Sequence, residues 1–281
     1  MTGTFSDYKK KNDYLVCVDS DGCAMDTMDS KHIRCFGPCM VEQWALGQWR
    51  DEILRRWNEI NLYTMTRGIN RFKGLSLALQ EIDRKYCRIE DLDTLVAWVD
   101  SAAELSNDAL EKAIAANGNS VSLQAALAWS RAVNAEITRL PEEEKKPFGY
   151  VKDALAYAHK NADVAIVSSA NRDAVLEEWE HYGLLEHTDI VLAQDAGTKA
   201  FCIGEMLKFG YDPSHVLMCG DAPGDRDAAE QNGVWYYPIL VRHESASWRE
   251  FMEAGLDHLL NGSYGNGYQQ EKTERFLENL K

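Results

Sequence analysis

The apolar run Tyr14-Leu-Val-Cys-Val18 ends in Asp19-Ser-Asp21-Gly22, two carboxylates separated by one residue and followed by a glycine. Residues two apart in an extended segment point the same way, so both acids face one small space, and the glycine lets the backbone turn behind them. Such a pair costs electrostatic energy unless a cation or a shared proton offsets it. One carboxylate can attack an electrophile and carry the transferred group, while the other donates a proton and later takes one from water. The spacing suits Asp19 to the first role and Asp21 to the second.

Other apolar runs also end in polar residues. Ser168 and Ser169 follow Val164 to Val167; Gln194, Asp195 and then Lys199 follow Ile190 to Ala193; Gly220, Asp221 and Asp225 follow Val216 to Cys219. One hydroxyl, one ammonium and several carboxylates form a coherent set for phosphoryl transfer, in which the equatorial oxygens carry negative charge that donors and cations stabilise. Strand register favours Ser168 over Ser169 as the hydroxyl, and Lys208 falls too far along the helical segment to compete with Lys199. The carboxylates would repel a phosphoryl group, which calls for a hard divalent cation with oxygen ligands, Mg2+, with Asp19, Asp221 and Asp225 as its candidate ligands.

These residues converge only if the runs are neighbouring strands. From Phe148 onward helix alternates with short apolar strand, which predicts a parallel sheet with crossover helices. Helices are expected at Val151 to Lys160, Arg172 to Tyr182, Lys199 to Phe209 and Asp225 to Asn232, and a last strand at Trp235 to Leu240. The ligand crevice of such a sheet lies beyond the carboxyl ends of its strands, where all these side chains would meet. Between Lys31 and Pro147 the periodicity is helical throughout: Leu46, Trp49, Ile53 and Trp57, then Ser76 to Tyr86, Leu92 to Leu105, Asn107 to Ala116 and Leu123 to Leu140, with a turn at Asn117 to Ser120. The expected organisation is a core of residues 1–22 and 148–281 interrupted by a helical domain at 23–147. The tail from about Ser245 reads as one or two surface helices around a loop at Asn261 to Tyr268.

Taken in order, Val18-Asp-Ser-Asp-Gly22, Ile166-Val-Ser168, Lys199 opening a helix, and Gly220-Asp-Ala-Pro-Gly-Asp225 resemble the four motifs of the haloacid dehalogenase-like hydrolases, in their phosphatase branch. The resemblance covers residues 14–24 and 148–240. It implies an α/β fold with a Rossmann-like, doubly wound parallel sheet and an inserted all-α cap domain. It also implies an aspartyl phosphate on Asp19, with Mg2+ held by Asp19, the backbone carbonyl of Asp21 and Asp221, and with Asp225 supporting the water shell of the ion. Cys23 and Ala24 depart from the Thr-Leu usual after the glycine in that family.

Within the insertion, Thr66 to Gly74 carries Arg67, Arg71 and Lys73 without a compensating acid, and these are the candidates for contacting the substrate. Trp44, Trp49, Trp57, Trp98 and Trp129 fall at helical spacing and read as the insertion's own core. The expected activity is hydrolysis of a small phosphorylated metabolite. A phosphomutase on the same core, or a binding module without turnover, are the alternatives.

With 45 Asp and Glu against 30 Lys and Arg and a formal net charge of -15, the far field repels polyanions, so neither nucleic acid nor an anionic membrane is an expected partner. The polar start of the chain lacks the pattern of a secretory signal, and no window approaches the length of a membrane span. Seven scattered cysteines fit reduced thiols and a cytoplasmic location. His32, Cys35 and Cys39 are too loosely spaced for zinc, and no second pair completes a site.

Overall fold

The computed structural model describes residues 5–117 and 120–281, so residues 118 and 119 of the expected turn and residues 1–4 of the polar start lie outside the described residues. The chain divides into two compact units, Met1–Met28 with Glu142–Lys281, and Asp29–Pro141.

The chain opens with strand β1 (Leu15–Val18) and then enters the helical unit. There it forms α1 (Gly37–Gln43), α2 (Arg50–Asn58), α3 (Arg71–Lys85), α4 (Leu92–Ser101), α5 (Asn107–Asn117) and α6 (Val121–Ile137). Side-chain caps start three of these helices: Asn70 accepts from Phe72 N, Ser106 from Ala109 N, and Ser120 from Leu123 N. The apolar faces close over one aromatic core. Trp57, Phe72 and Trp129 are almost wholly buried, Phe72 meets Trp98 edge-on at 5.2 Å, and the Trp129 indole donates to the Phe36 carbonyl at 3.1 Å. The tryptophans of the insertion therefore serve its interior.

Back in the first unit the chain alternates as the pattern predicts. It runs α7 (Val151–His159), β2 (Asp163–Val167), α8 (Arg172–His181), β3 (Ile190–Leu192), α9 (Lys199–Leu207), β4 (Val216–Gly220), α10 (Pro223–Asn232) and β5 (Trp235–Pro238). The strands form one parallel sheet in the order β3-β2-β1-β4-β5. Helices cover both faces, so the strands are buried throughout except at Trp235, as continuous apolar runs require. Val18 is level with Ile166 on one side and Cys219 on the other, which brings the ends of β1, β2 and β4 together.

Two features differ from the reading of the sequence. The helical unit spans 29–141 rather than 23–147, because the flanking residues hydrogen-bond within the core: Asp26 N donates to Lys146 O at 2.8 Å, Phe148 N to Ala24 O at 3.0 Å, and Met25 bridges to Pro147. The tail is no surface appendage either. Its helices α11 (Glu244–Glu250), α12 (Leu256–Leu260) and α13 (Gln269–Asn279), with the segments that join them, bury Trp248, Phe251, Leu256, Leu259, Tyr264 and Phe276. Gln269 accepts from Tyr236 N at 2.9 Å and the Tyr264 hydroxyl donates to Tyr236 O at 3.0 Å, which satisfies backbone that the edge strand β5 would otherwise expose.

Among the described residues no helix is long and apolar enough to cross a membrane, and no disulfide links the cysteines. Replacing Trp129 with Ala is expected to lower stability by about 3–5 kcal/mol, read by denaturant unfolding. A loss below about 1 kcal/mol would show that the helical unit does not depend on this ring.

Candidate active site

Each polar side chain of the site leaves the carboxyl end of a strand or the first turn of the helix after it. Asp19 extends the β1 ladder by one residue, its N–H donating to Cys219 O at 3.0 Å, and its side chain is almost fully buried. Beyond it the chain turns tightly. Ser20 O accepts from the backbone N–H groups of Cys23, Ala24 and Met25 at 3.3, 2.9 and 2.8 Å, and Gly22 takes a φ of 80°, which a side chain would resist. Asp21 is half-buried, and its Oδ1 accepts the Thr27 hydroxyl at 2.7 Å. Cys23 and Ala24 are fully buried, the Cys23 thiol pointing at Cys219 O.

On the neighbouring strand, β4 passes into α10 through Gly220 and Asp221. Asp225 lies in the first turn of α10, where its Oδ2 accepts from Ala222 N at 3.0 Å, a favourable place for an anion. Gly220 is what lets it fit. A Cβ on that glycine would stand 2.3 Å from the Cβ and Cγ of Asp225. Lys199 opens α9, and its ammonium reaches both carboxylates, 2.8 Å from Asp19 Oδ2 and 2.5 Å from Asp225 Oδ1. Lys208 is exposed and pairs with Glu205 instead. Ser168 ends β2, buried, with its hydroxyl accepting from Ala170 N at 3.1 Å, whereas Ser169 is exposed.

Asp19, Asp221 and Asp225 offer carboxylate oxygens that all lie within 4.8 Å of one another. Burial pushes the Asp19 carboxyl up to about 8, with Asp225 and Asp221 adding to the rise and Lys199 opposing it. Burial pulls the Lys199 ammonium down, yet Asp19 and Asp225 outweigh that and hold it above its ordinary value. One ammonium thus faces three nearly water-free carboxylates, an excess of negative charge on oxygen donors alone. That donor set fits a hard divalent cation. His32, Cys35 and Cys39 form no comparable group among the described residues; His32 stacks on Phe36 at 4.5 Å.

The basic residues of the insertion have separate surroundings in the helical unit. Arg67 is fully buried, donating to Leu62 O at 2.7 Å with Asp29 3.9 Å away. Arg71 begins α3, its Nη1 donating to Asn134 Oδ1 at 2.7 Å and to Ser130 Oγ at 3.1 Å. Lys73 is exposed on α3.

Reading the sequence missed the residues that hold these groups: Thr27 on Asp21, the Tyr236 hydroxyl on Gly220 O at 2.9 Å, the Trp179 indole on Ser20 Oγ at 2.9 Å and the Trp248 indole on Cys23 O at 2.9 Å. Thr27 is one polar residue in a small polar segment, and the aromatics sit where a core residue would, so no spacing marks any of them.

The sequence pattern of the haloacid dehalogenase-like hydrolases matches residues 92–237. The chain belongs to this family and is a hydrolase of that kind. The match takes in Ser168, Lys199, Asp221 and Asp225 and leaves Asp19 and Asp21 outside. Solved structures with this fold include one described as a candidate phosphoglycolate phosphatase from Lactobacillus delbrueckii subsp. bulgaricus, 14% identical, with 80% of this chain and 85% of that one covered and a TM-score of 0.52. Another is a haloacid dehalogenase-like family hydrolase from Xanthomonas campestris, 12% identical, with 91% and 97% covered and a TM-score of 0.50. At these identities the likeness concerns the fold. No curated protein matches the chain.

Gly220→Ala is expected to leave the sheet folded while displacing Asp225 and breaking its contact with Lys199. Calorimetric titration with Mg2+ should show affinity reduced at least about tenfold, in the range of losses when groups supporting a metal site are removed. Unchanged affinity would mean that the Gly220–Asp225 contact is not needed.

Proposed function

We propose that this protein is a Mg2+-dependent phosphomonoester hydrolase that acts on a small phosphorylated metabolite through an aspartyl phosphate on Asp19. The observation that carries the reading is the buried Lys199–Asp19 ion pair within the group of three carboxylates. Asp19 attacks phosphorus in line, the bond from phosphorus to the ester oxygen breaks, and Asp21 gives the departing alkoxide its proton. Asp21 then takes a proton from a water molecule as that water attacks the acyl phosphate, which releases phosphate and restores the Asp19 carboxylate. Lys199 and Ser168 hold the equatorial oxygens, and the Thr27 hydroxyl fixes the direction of the Asp21 carboxyl. Mg2+ held by Asp19, Asp221 and the carbonyl of Asp21, with Asp225 in support, would supply positive charge to the phosphoryl oxygens.

Arg71 is our candidate for the far end of the substrate. Its Nη1 is fixed by Ser130 and Asn134, the guanidinium lies 5.0 Å from the Phe36 ring, and no carboxylate among the described residues pairs with it. Burial alone shifts its pKa, downward, as expected for a cation with no anion beside it. The Nε–Nη2 edge remains available for two parallel hydrogen bonds, a geometry that suits a carboxylate or a second phosphate. Arg67 is committed to internal contacts and supports the same segment, and exposed Lys73 adds charge to it. The substrate class this favours is a small phosphomonoester with a second anionic group.

With Mg2+ the wild type should release phosphate from such metabolites and from a generic aryl phosphate, whereas Asp19→Asn should release none. Chelation with EDTA should abolish release, and added Mg2+ should restore it. Silence of the wild type toward the whole panel would sink the hydrolase reading, and phosphate recovered on a second position of the substrate would make the protein a mutase. Arg71→Gln should raise KM for a doubly anionic substrate by tenfold or more, in line with the loss of a charge-assisted pair of about 1.5–3 kcal/mol, with kcat and aryl phosphate turnover unchanged. Equal effects on both substrates would remove Arg71 from recognition.

A further inference from the structure

The turn that carries Asp19 and Asp21 is held from outside at two points, each time by an indole N–H. Ser20, the residue between the two acids, is fully buried, and its hydroxyl accepts from Trp179 of α8 at 2.9 Å. Cys23, two residues beyond Asp21, offers its carbonyl to Trp248 of α11 at 2.9 Å. Both indoles are fully buried. An indole nitrogen only donates, in one direction fixed by the ring, so each bond determines where its acceptor can lie. A buried carbonyl deprived of its partner must move or remain unsatisfied.

Trp248 is itself anchored. The Tyr237 hydroxyl of β5 donates to Ser247 O at 2.9 Å, Leu240 N donates to Ser247 Oγ at 3.0 Å, and Phe251 packs edge-on against Trp248 at 5.5 Å. The sheet edge, the tail and the turn after β1 thus form one connected path. It runs through a segment that lies beyond residue 237, where the family match ends.

We propose that Trp179 and Trp248 are positioning residues for the reaction, holding the Asp19–Cys23 turn so that both carboxylates keep their places, and that the C-terminal tail is for this reason part of the active site. The proposal rests on the reading of Asp19 and Asp21 as the reacting groups. Neither indole touches substrate; both act through the backbone and hydroxyl they bind.

The test compares Trp248→Phe and Trp179→Phe with Leu259→Ala, which loosens the same core but removes no bond to the turn. All three should lower Tm. Only the tryptophan variants should raise hydrogen–deuterium exchange in peptides covering residues 19–25, and only they should lower kcat on an aryl phosphate, by about 10- to 100-fold, with KM little changed, as a small misplacement of reacting groups produces. Leu259→Ala matching them in exchange and kcat at equal loss of Tm would overturn the proposal, as would tryptophan variants with wild-type exchange and wild-type kcat. Should the wild type release no phosphate, the hydrolase reading fails, and the exchange comparison still decides whether the indoles hold the turn.

Discussion

Three carboxylates crowded out of water around one ammonium is the arrangement on which the rest of the molecule depends. Nothing in a folded core tolerates such a group cheaply, since burial disfavours each charged form and the acids repel one another. Lys199 bridges two of them, and the first turn of α10 gives Asp225 a backbone N–H as well. These offsets work only while β1, β4, α9 and α10 keep their places, so the parallel sheet is the means by which the charges are held together. The ion pair is consequently weak evidence of stability and better evidence of function.

Around that centre the structure uses polar ends of apolar side chains. Tyr236 ties the Gly220 carbonyl, Trp179 ties Ser20, and Trp248 ties Cys23, so that rings which fill the core also satisfy backbone and hydroxyl groups at the strand ends. At the opposite end of the sheet Asp163 is treated the same way. Wholly buried at the start of β2, it accepts from the Tyr8 hydroxyl at 3.1 Å, from Asn12 Nδ2 at 2.9 Å and from the Tyr211 hydroxyl. A charge in this core is admitted where donors surround it.

The legibility of the sequence follows from the same physics. Asp19, Asp221, Asp225 and Lys199 could be picked out because each interrupts or follows an apolar run at a strand tip, and the periodicity switch near Phe148 exposed the α/β architecture. The expected strand starts at Val164, and nothing in the pattern marks Asp163 before it, because its partners Tyr8 and Tyr211 are distant in sequence. The limits of the insertion were blurred for a similar reason, since residues 23–28 and 142–147 join the core through backbone hydrogen bonds that carry no side-chain pattern. Arg71 stood out as a basic residue, but its hold by Ser130 and Asn134 spans some sixty positions of chain. The tail gave no chemical signal, because a tryptophan whose nitrogen binds the turn after β1 looks, in sequence, like any other apolar residue.

The backbone pairing of Asp26 with Lys146, beside the bridge between Met25 and Pro147, closes the excursion of the chain into the helical unit at its base. A loop whose ends are already joined becomes costlier only slowly as it lengthens. The segment between those ends can therefore grow, shrink or be exchanged over evolutionary time while the pairing and the strand tips stay as they are. In such a design the sheet with its strand tips and the helical unit are free to change separately, joined only through a single closed neck.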